Sequence, residues 1–202
     1  MIDRSLPPCS LYCAPSRIAG VGLFAGRRIE RGEYLFTVEG DVHQGNRLEA
    51  GNEWFANCFQ IDSDLYLYPQ TPEGRYINHS CSPNAGLQMD RDMVAIRTIE
   101  QGEEITFDYS TSMSEDGWRM ECHCGSPQCR RVVGDFHDLP PVLQLDYLQH
   151  GVVQRFIVQE IFIRASEAIR HPGLSSAEIG RLAARVISLS AALRRWQPPE
   201  VA

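Results

Sequence analysis

Residues 75–85 read RYINHSCSPNA, and their cysteine is one of four that are spaced like the ligands of a metal ion. The other three lie within the eight residues CHCGSPQC, residues 122–129. Three thiolates close together and a fourth from an earlier loop satisfy a tetrahedral zinc ion. Spacing alone leaves a cluster of free thiols and a set of disulfides open as alternatives. The pattern predicts a late loop fastened to the Asn78-His79 segment by the side chains of Cys81, Cys122, Cys124 and Cys129.

Composition limits the class of protein. The chain has 202 residues, 43% of them hydrophobic, which is enough for one core and a small appendage. No apolar run approaches the length of a membrane span, and the first residues lack the apolar run of a signal peptide. Seven cysteines, some of them in metal-like spacing, suggest a reducing compartment. We therefore expect a cytoplasmic protein without a membrane partner, with secretion into a host cell or nucleus left open.

Charge is unevenly distributed along the chain. Residues 53–124 hold thirteen acidic side chains against four arginines, within a net charge of −7. Such a surface repels nucleic acid and attracts basic protein segments, although solubility alone would also explain it. All nineteen basic side chains are arginine, and this absence of lysine suggests a genome with a composition bias, hence a bacterial source.

The first two thirds of the chain predict short strands separated by turns. Strands are expected at 34–38, 93–97 and 105–109, and a hairpin at 58–68 around Asp62-Ser63-Asp64. Residues 12–25 alternate poorly and are broken by glycine and proline. Short strands with Gly, Asp and Asn turns favour small sheets over a parallel sheet.

The last third of the chain predicts helices. One begins near Pro140-Pro141 and ends at Gly151, and a second covers residues 152–170. Ser175 and Glu178 match a capping box before a third helix with one apolar stripe. Two such helices form an antiparallel pair that either docks on the core or joins two copies into a homodimer.

Four motifs occur in a specific order: AGVGLFA at residues 19–25, RYINHSCSPNA at 75–85, GEEITFDY at 102–109 and the cysteine loop ending at Arg130. In this order they resemble the SET-domain protein lysine methyltransferases that end in a post-SET zinc loop. The resemblance covers about residues 16–133. It implies a mainly β, α+β fold of several small curved sheets with a pseudoknot, followed by the zinc loop and a C-terminal helical segment. Residues 136–148 resemble a segment that follows the zinc loop in some bacterial members.

The resemblance also divides the chain. It implies an N-terminal extension at residues 1–14, a SET domain at 15–112 with a variable insert at about 42–68, a post-SET loop at 118–133 and a helical segment at 139–197.

The family transfers methyl groups from S-adenosylmethionine to a lysine amine, and the resemblance implies a role for each matching residue. Tyr109 would be the catalytic tyrosine, and Phe107 would favour di- or trimethylation. Cys81, Cys122, Cys124 and Cys129 would bind a structural Zn²⁺. The cofactor would be bound by Gly20, Val21, Gly22, Leu23, Asn78, His79 and Tyr109.

This chain departs from the family pattern in two places. Val38 stands where many members have a tyrosine of the substrate channel, and the pre-SET cysteine cluster is missing. The expected partner is a protein with a lysine in a basic segment, such as a histone or histone-like protein. A binding module without catalysis and a zinc-dependent nucleic-acid binder are the alternative functions.

Overall fold

The computed structural model describes residues 10–45, 57–115 and 117–170. The strands are short, as the turn-rich sequence predicts. Their bounds are Leu11–Pro15 (β1), Val21–Ala25 (β2), Tyr34–Thr37 (β3), Gly40–Gln44 (β4), Phe59–Asp62 (β5), Leu65–Pro69 (β6), Asn78–His79 (β7), Ala85–Gln88 (β8), Asp92–Ala95 (β9), Glu104–Phe107 (β10), Arg119–Glu121 (β11) and Val132–Gly134 (β12).

Within the described residues these strands form separate small sheets, with the orders β1-β2-β10-β7, β3-β9-β8, β4-β6-β5 and β11-β12. The predicted fold class, a mainly β protein of several small sheets, is confirmed. The hairpin predicted around residues 62–64 is the β5-β6 pair, and β4 joins it to complete a sheet from the variable insert.

The sheet β1-β2-β10-β7 brings three distant motifs together. β10 pairs antiparallel with β2, with Ile105 opposite Leu23. On its other side β10 pairs in parallel with β7, with Thr106 opposite Asn78. The glycine-rich strand, the Asn-His pair and the strand that ends before Tyr109 are therefore adjacent, although more than eighty positions separate the first from the last in sequence.

One apolar core holds these sheets together. Leu23, Leu67, Met93 and Ile105 have at most 1% of their surface exposed. Asn84, the second asparagine of RYINHSCSPNA, fixes the loop after Cys81 to this core. Its Nδ2 donates to the carbonyl oxygen of Glu104 at 2.8 Å, and its Oδ1 accepts from the Thr106 N–H at 2.8 Å.

The helices are Pro72–Arg75 (α1), Pro141–His150 (α2) and Arg155–Arg170 (α3). α2 begins at a proline and ends at Gly151, whose φ of 67° is the left-handed conformation that favours glycine. A second apolar cluster joins both long helices to Val94 of β9, and Phe136, Tyr147, Val152 and Ile157 lie within it. The start and end predicted for the first helix of the tail are confirmed.

Several sequence expectations differ from the structure: the strand predicted at 93–97 is Asp92–Ala95, and the helix predicted at 152–170 begins at Arg155. The predicted strand at 105–109 ends at Phe107, and Tyr109–Ser112 form a short 3₁₀ turn because the Asp108 carboxylate accepts from the Ser110 N–H and caps it. The irregular stretch at 12–25 contains the β1-β2 hairpin, so the first sheet crosses the predicted boundary between residues 14 and 15.

Several predictions concern residues outside the described ranges. The helix expected after Ser175, and with it the last part of the 139–197 segment, is among them. The homodimer through the C-terminal helices stays a prediction. Among the described residues, none of the helices is both long and apolar enough to span a bilayer.

Candidate active site and metal centre

The glycine-rich turn and Asn78 are in direct contact. Asn78 Nδ2 donates to the carbonyl oxygens of Ala19 at 3.2 Å and Val21 at 3.1 Å. Gly20, between these two carbonyls, has a φ of 46° that a larger residue rarely adopts. Leu23 is buried, whereas Val21 has 39% of its surface exposed. The structure thus places Gly20, Val21 and Asn78 around one surface, and their cofactor role stays a prediction.

Glu104 and Ser16 belong to this group, and sequence analysis missed them. Glu104 Oε1 accepts from Asn78 Nδ2 at 2.8 Å and from Ser16 Oγ at 2.8 Å. A Cβ atom at Gly22 would lie 2.3 Å from Glu104 Oε1. Gly22 therefore leaves room for the carboxylate that orients the Asn78 amide. No local pattern distinguishes Glu104 from its neighbour Glu103, because the partners of Glu104 lie 26 and 88 residues away in the sequence.

His79 is a buried, neutral histidine. Burial lowers its pKa to about 4, despite the opposing charge of Asp108. Nδ1 accepts the Tyr109 N–H at 3.1 Å, so the ring proton is assigned to Nε2, which lies 3.3 Å from Cys81 Sγ. The side chain of His79 thus joins the turn of Tyr109 to the cysteine cluster, and its ring is not exposed to a ligand.

Tyr109 lies in an aromatic environment beside the Asn-His pair. Its Oη donates to the Ile77 carbonyl oxygen at 2.9 Å. The Phe107 ring centre is 4.8 Å away, and Phe107 in turn stacks on Phe59 at 5.5 Å. Burial, reinforced by the charge of Glu104, raises the pKa of Tyr109 above its ordinary value. The phenol is therefore neutral, which suits an orienting group better than a base.

The structure describes some of the remaining positions of the insert and of the expected substrate channel. Val38 is 1% exposed and packs in the main core. Tyr66 is also buried, and its hydroxyl donates to Glu115. Trp54 and Phe55, which sequence analysis placed in the insert, lie outside the described residues.

The four predicted metal ligands form one cluster. The Sγ atoms of Cys81, Cys122, Cys124 and Cys129 all lie within 4.8 Å of one another. Cys81 Sγ and Cys122 Sγ are 3.8 Å apart. A tetrahedral ion with Zn–S distances of about 2.3 Å requires a separation of about 3.8 Å between sulfurs. The donor set and this spacing fit zinc.

The surroundings of the sulfurs favour bound thiolates. The Arg130 N–H points at Cys81 Sγ at 3.4 Å. Burial opposes ionisation of Cys124, but N–H groups of Cys81 and Ser126 lower its pKa to about 7. Burial raises the pKa of Cys81 and Cys122, and a cation at the centre of the cluster would offset this cost. His123, between two of the ligands, has 68% of its side chain exposed beside Glu121, so it does not join the cluster.

Asp108 is a further residue of the site that sequence analysis missed. Its side chain has no exposed surface and forms a bidentate pair with Arg130, at 2.7 and 2.8 Å. Tyr147 Oη also donates to it, at 2.9 Å. Three parts of the chain, the turn of Tyr109, the cysteine loop and α2, therefore meet at one buried carboxylate. The partners come from regions that lie 22 and 39 residues away, so no local pattern indicates them.

Residues 20–110 match the family model described as SET domain. The match covers 91 of the 202 residues, and over this stretch the chain is similar to a SET domain. The match does not extend to the cysteine loop or to α2, although both of these contact the last residues of the matched stretch.

Curated relatives align over more than half of the chain. Histone-lysine N-methyltransferase trr of Drosophila melanogaster is 32% identical over 137 residues, which is 60% of this chain and 6% of that protein. Histone-lysine N-methyltransferase ASHH3 of Arabidopsis thaliana is 34% identical over 133 residues, 57% of this chain and 36% of that protein. The chain thus spans only a minor part of the length of these relatives.

A solved structure supports the SET fold. It is described as the crystal structure of KRYPTONITE in complex with mCHG DNA and SAH, and it aligns with a TM-score of 0.50 and 22% identity. The alignment covers 62% of this chain and 29% of that one. This similarity shows the SET fold and nothing about the ligands of the present protein.

Proposed function

We propose that this protein is an S-adenosylmethionine-dependent protein-lysine N-methyltransferase. The proposal rests on one observation. The glycine turn, Asn78 and Tyr109 lie close together at the ends of paired strands of one sheet. The names of the relatives, histone-lysine N-methyltransferases, support the same reaction.

Cofactor binding would use the main chain of residues 20–23 together with Asn78. Asn78 Nδ2 is held by the carbonyl oxygens of Ala19 and Val21 and by Glu104, so its orientation is fixed before a ligand arrives. Fixed polar groups reduce the entropy lost on binding. His79 would contribute its main chain, since its side chain is committed to Cys81 and Tyr109.

Methyl transfer requires positioning and a neutral amine. S-adenosylmethionine supplies an electrophilic methyl group on a sulfonium. At pH 7, keeping a lysine amine neutral costs about 4–5 kcal/mol, and an apolar aromatic channel offsets this cost by lowering the amine pKa. Phe107 and Tyr109 provide aromatic walls, and Tyr109 Oη orients the amine. Correct alignment contributes about 7–11 kcal/mol to lowering the barrier.

Phe107 also bears on the product. Phenylalanine adds no hydroxyl that would compete for the space around the amine, so di- or trimethylation is the proposed outcome.

Zinc in the cysteine cluster would be structural, because four thiolates leave no open position for chemistry. After the last cysteine, Val132 is 53% exposed and Val133 is fully buried, so Val132 is the residue of this loop that we propose to contact the cofactor.

The proposed substrate is a lysine in a basic protein segment, such as a histone or histone-like protein. Thirteen acids within residues 53–124 favour a basic partner and disfavour nucleic acid. The cytoplasm of a bacterium is the proposed location, and it agrees with a lysine-free chain.

The test is radiolabelled methyl transfer from S-adenosylmethionine onto histones and onto total cell lysate. We expect label on a basic protein, and Tyr109→Phe to reduce the rate by about a hundredfold, the effect of losing one well-placed polar group. Binding of S-adenosylhomocysteine to the protein is measured alongside by calorimetry. Cofactor binding without any transfer would identify a binding module, and the absence of both would refute the proposal.

A further inference from the structure

Asp108 is a buried charge that the proposed reaction does not use. It stands between Phe107 and Tyr109, and its side chain has no exposed surface. A carboxylate in such a place is strongly destabilising unless it is paired and fully hydrogen-bonded. The fold meets this requirement with donors from three separate regions, so the position of each region depends on the others.

Two of these donors join the cysteine loop to the turn of Tyr109. Arg130 donates to the carboxylate from Nη1 and Nη2, and its backbone N–H points at Cys81 Sγ. The Ser110 N–H donates to Asp108 Oδ1 at 3.1 Å, and Ser110 Oγ donates to the Gly134 carbonyl oxygen at 2.7 Å. The loop and the turn are therefore fixed to each other through Asp108.

The third donor comes from outside the SET domain. Tyr147, on α2, is 3% exposed and donates its hydroxyl to Asp108 Oδ2 at 2.9 Å. The beginning of α3 holds the same turn, because the Gln154 N–H donates to the Thr111 carbonyl oxygen at 3.0 Å. The helical segment thus contacts Asp108 and the turn that follows it.

We propose that Tyr147 is a positioning residue of the active site, whose hydroxyl fixes Asp108 and through it both Tyr109 and the cysteine loop. This inference rests on the proposed function and gives the helical segment a role in it. Tyr147 Oη donates to the same carboxylate that Arg130 and the Ser110 N–H hold, so we expect its effect to reach the turn of Tyr109 and the cysteine loop through Asp108. A tyrosine that merely fills the core would keep its contribution when the hydroxyl is removed.

The test is Tyr147→Phe in the full chain, which keeps the ring and removes the hydroxyl. Tyr12→Phe is the matched control, since Tyr12 is 46% exposed on β1. Three quantities are measured: the rate at which zinc passes to a chromogenic chelator, hydrogen exchange of residues 108–112, and kcat and KM for methyl transfer. We expect Tyr147→Phe to release zinc about tenfold faster, the effect of losing a hydrogen bond to a charged group. We also expect faster exchange at 108–112, and a several-fold lower kcat with KM for the cofactor unchanged.

A double variant tests the route of the effect. Asp108→Asn keeps the shape of the side chain and removes its charge, and in that background Tyr147→Phe should add less than twofold to any of the three measurements. If Tyr147→Phe cannot be purified folded, Asp108→Asn alone must release zinc faster than the unmodified protein.

The results separate this inference from the proposed function. Zinc release and hydrogen exchange require no methyl transfer, so they decide the role of Tyr147 even if no substrate is methylated. Zinc release and exchange equal to those of Tyr12→Phe would overturn the inference. Equal kcat would also overturn it, even if the melting temperature has fallen.

Discussion

Phe107 is the residue on which the degree of methylation depends in our proposal. Its ring lies 4.8 Å from that of Tyr109 and stacks on Phe59. A tyrosine here would add a hydroxyl and a bound water to the space that a methylated amine needs. We expect Phe107→Tyr to shift the product from di- and trimethyllysine to monomethyllysine, measured by mass spectrometry of the modified substrate. A product of the unmodified protein that is only monomethylated would contradict the proposal for Phe107.

The burial of Tyr109 predicts how the methyl-transfer rate depends on pH. Burial raises the pKa of its phenol above the ordinary value of about 10, so the group stays neutral to higher pH than a free tyrosine. The substrate amine, in contrast, loses its proton as the pH rises. We expect the methyl-transfer rate to increase from pH 7 to pH 10 without a decrease near the ordinary phenol pKa, measured where circular dichroism shows the fold intact. A decrease there that Tyr109→Phe abolishes would show that Tyr109 ionises.

At the scale of elements, the cysteine loop depends on its metal. Zinc binding to thiolate clusters is worth about 10–16 kcal/mol at neutral pH, and β11 and β12 enclose a loop with little apolar core of its own. We expect chelation to increase protease cleavage at residues 118–133 and to abolish methyl transfer, both restored by added zinc. Cleavage of β1 and β2 is the internal control. Full activity after measured removal of the metal would contradict a structural role of the loop in the active site.

The contact of β8 with the helical segment depends on a glycine. A Cβ atom at Gly86 would lie 2.6 Å from Val152 Cβ, and Val152 is 1% exposed. We expect Gly86→Ala to lower the free energy of unfolding by about 1–3 kcal/mol, measured by urea denaturation, because it overpacks this contact.

Val152→Ala provides the control for this contact. In the Gly86→Ala background it should cost less than in the unmodified chain, since it removes Cγ1 and Cγ2 of Val152, which the new methyl group would meet at 2.7 and 3.0 Å. Equal costs in the two backgrounds would show that Gly86 and Val152 do not constrain each other.

At the scale of the whole molecule, charge governs the encounter with substrate. The net charge is −7, and the acidic excess lies in the middle of the chain. Salt screens attraction between exposed charges beyond a Debye length of about 10 Å at 0.1 M. We expect KM for a basic protein substrate to rise several-fold between 0.05 and 0.5 M NaCl while kcat stays constant, measured by steady-state kinetics. A neutral lysine peptide is the control, and an equal response of both substrates would exclude steering by charge.

Local patterns in the sequence were sufficient to predict many residues of the candidate site. The order of the motifs indicated Asn78, Tyr109 and the four cysteines, and the structure brings these residues into two adjoining groups. The turn signals predicted the hairpin at residues 58–68 and the end of α2 at Gly151. The hairpin and the helix end depend on the conformational preferences of a few consecutive residues, whereas Asn78 and Tyr109 were indicated by the resemblance of the motifs to a known family.

The roles of Glu104, Asp108, Arg130 and Tyr147 could be recognised only in the folded chain. Each is an ordinary charged or aromatic residue in sequence, and each acquires its role from a partner 22 or more residues away. The conformation of Tyr109 is a similar case, because the cap from Asp108 ends the strand that local propensity would continue. The sequence by itself determined which chemistry the chain carries, since reactive groups occur in recognisable local patterns. Only the tertiary structure decided what holds those groups in place, because the partners of a buried charge are the residues that lie near it in the folded chain, whatever their separation in sequence.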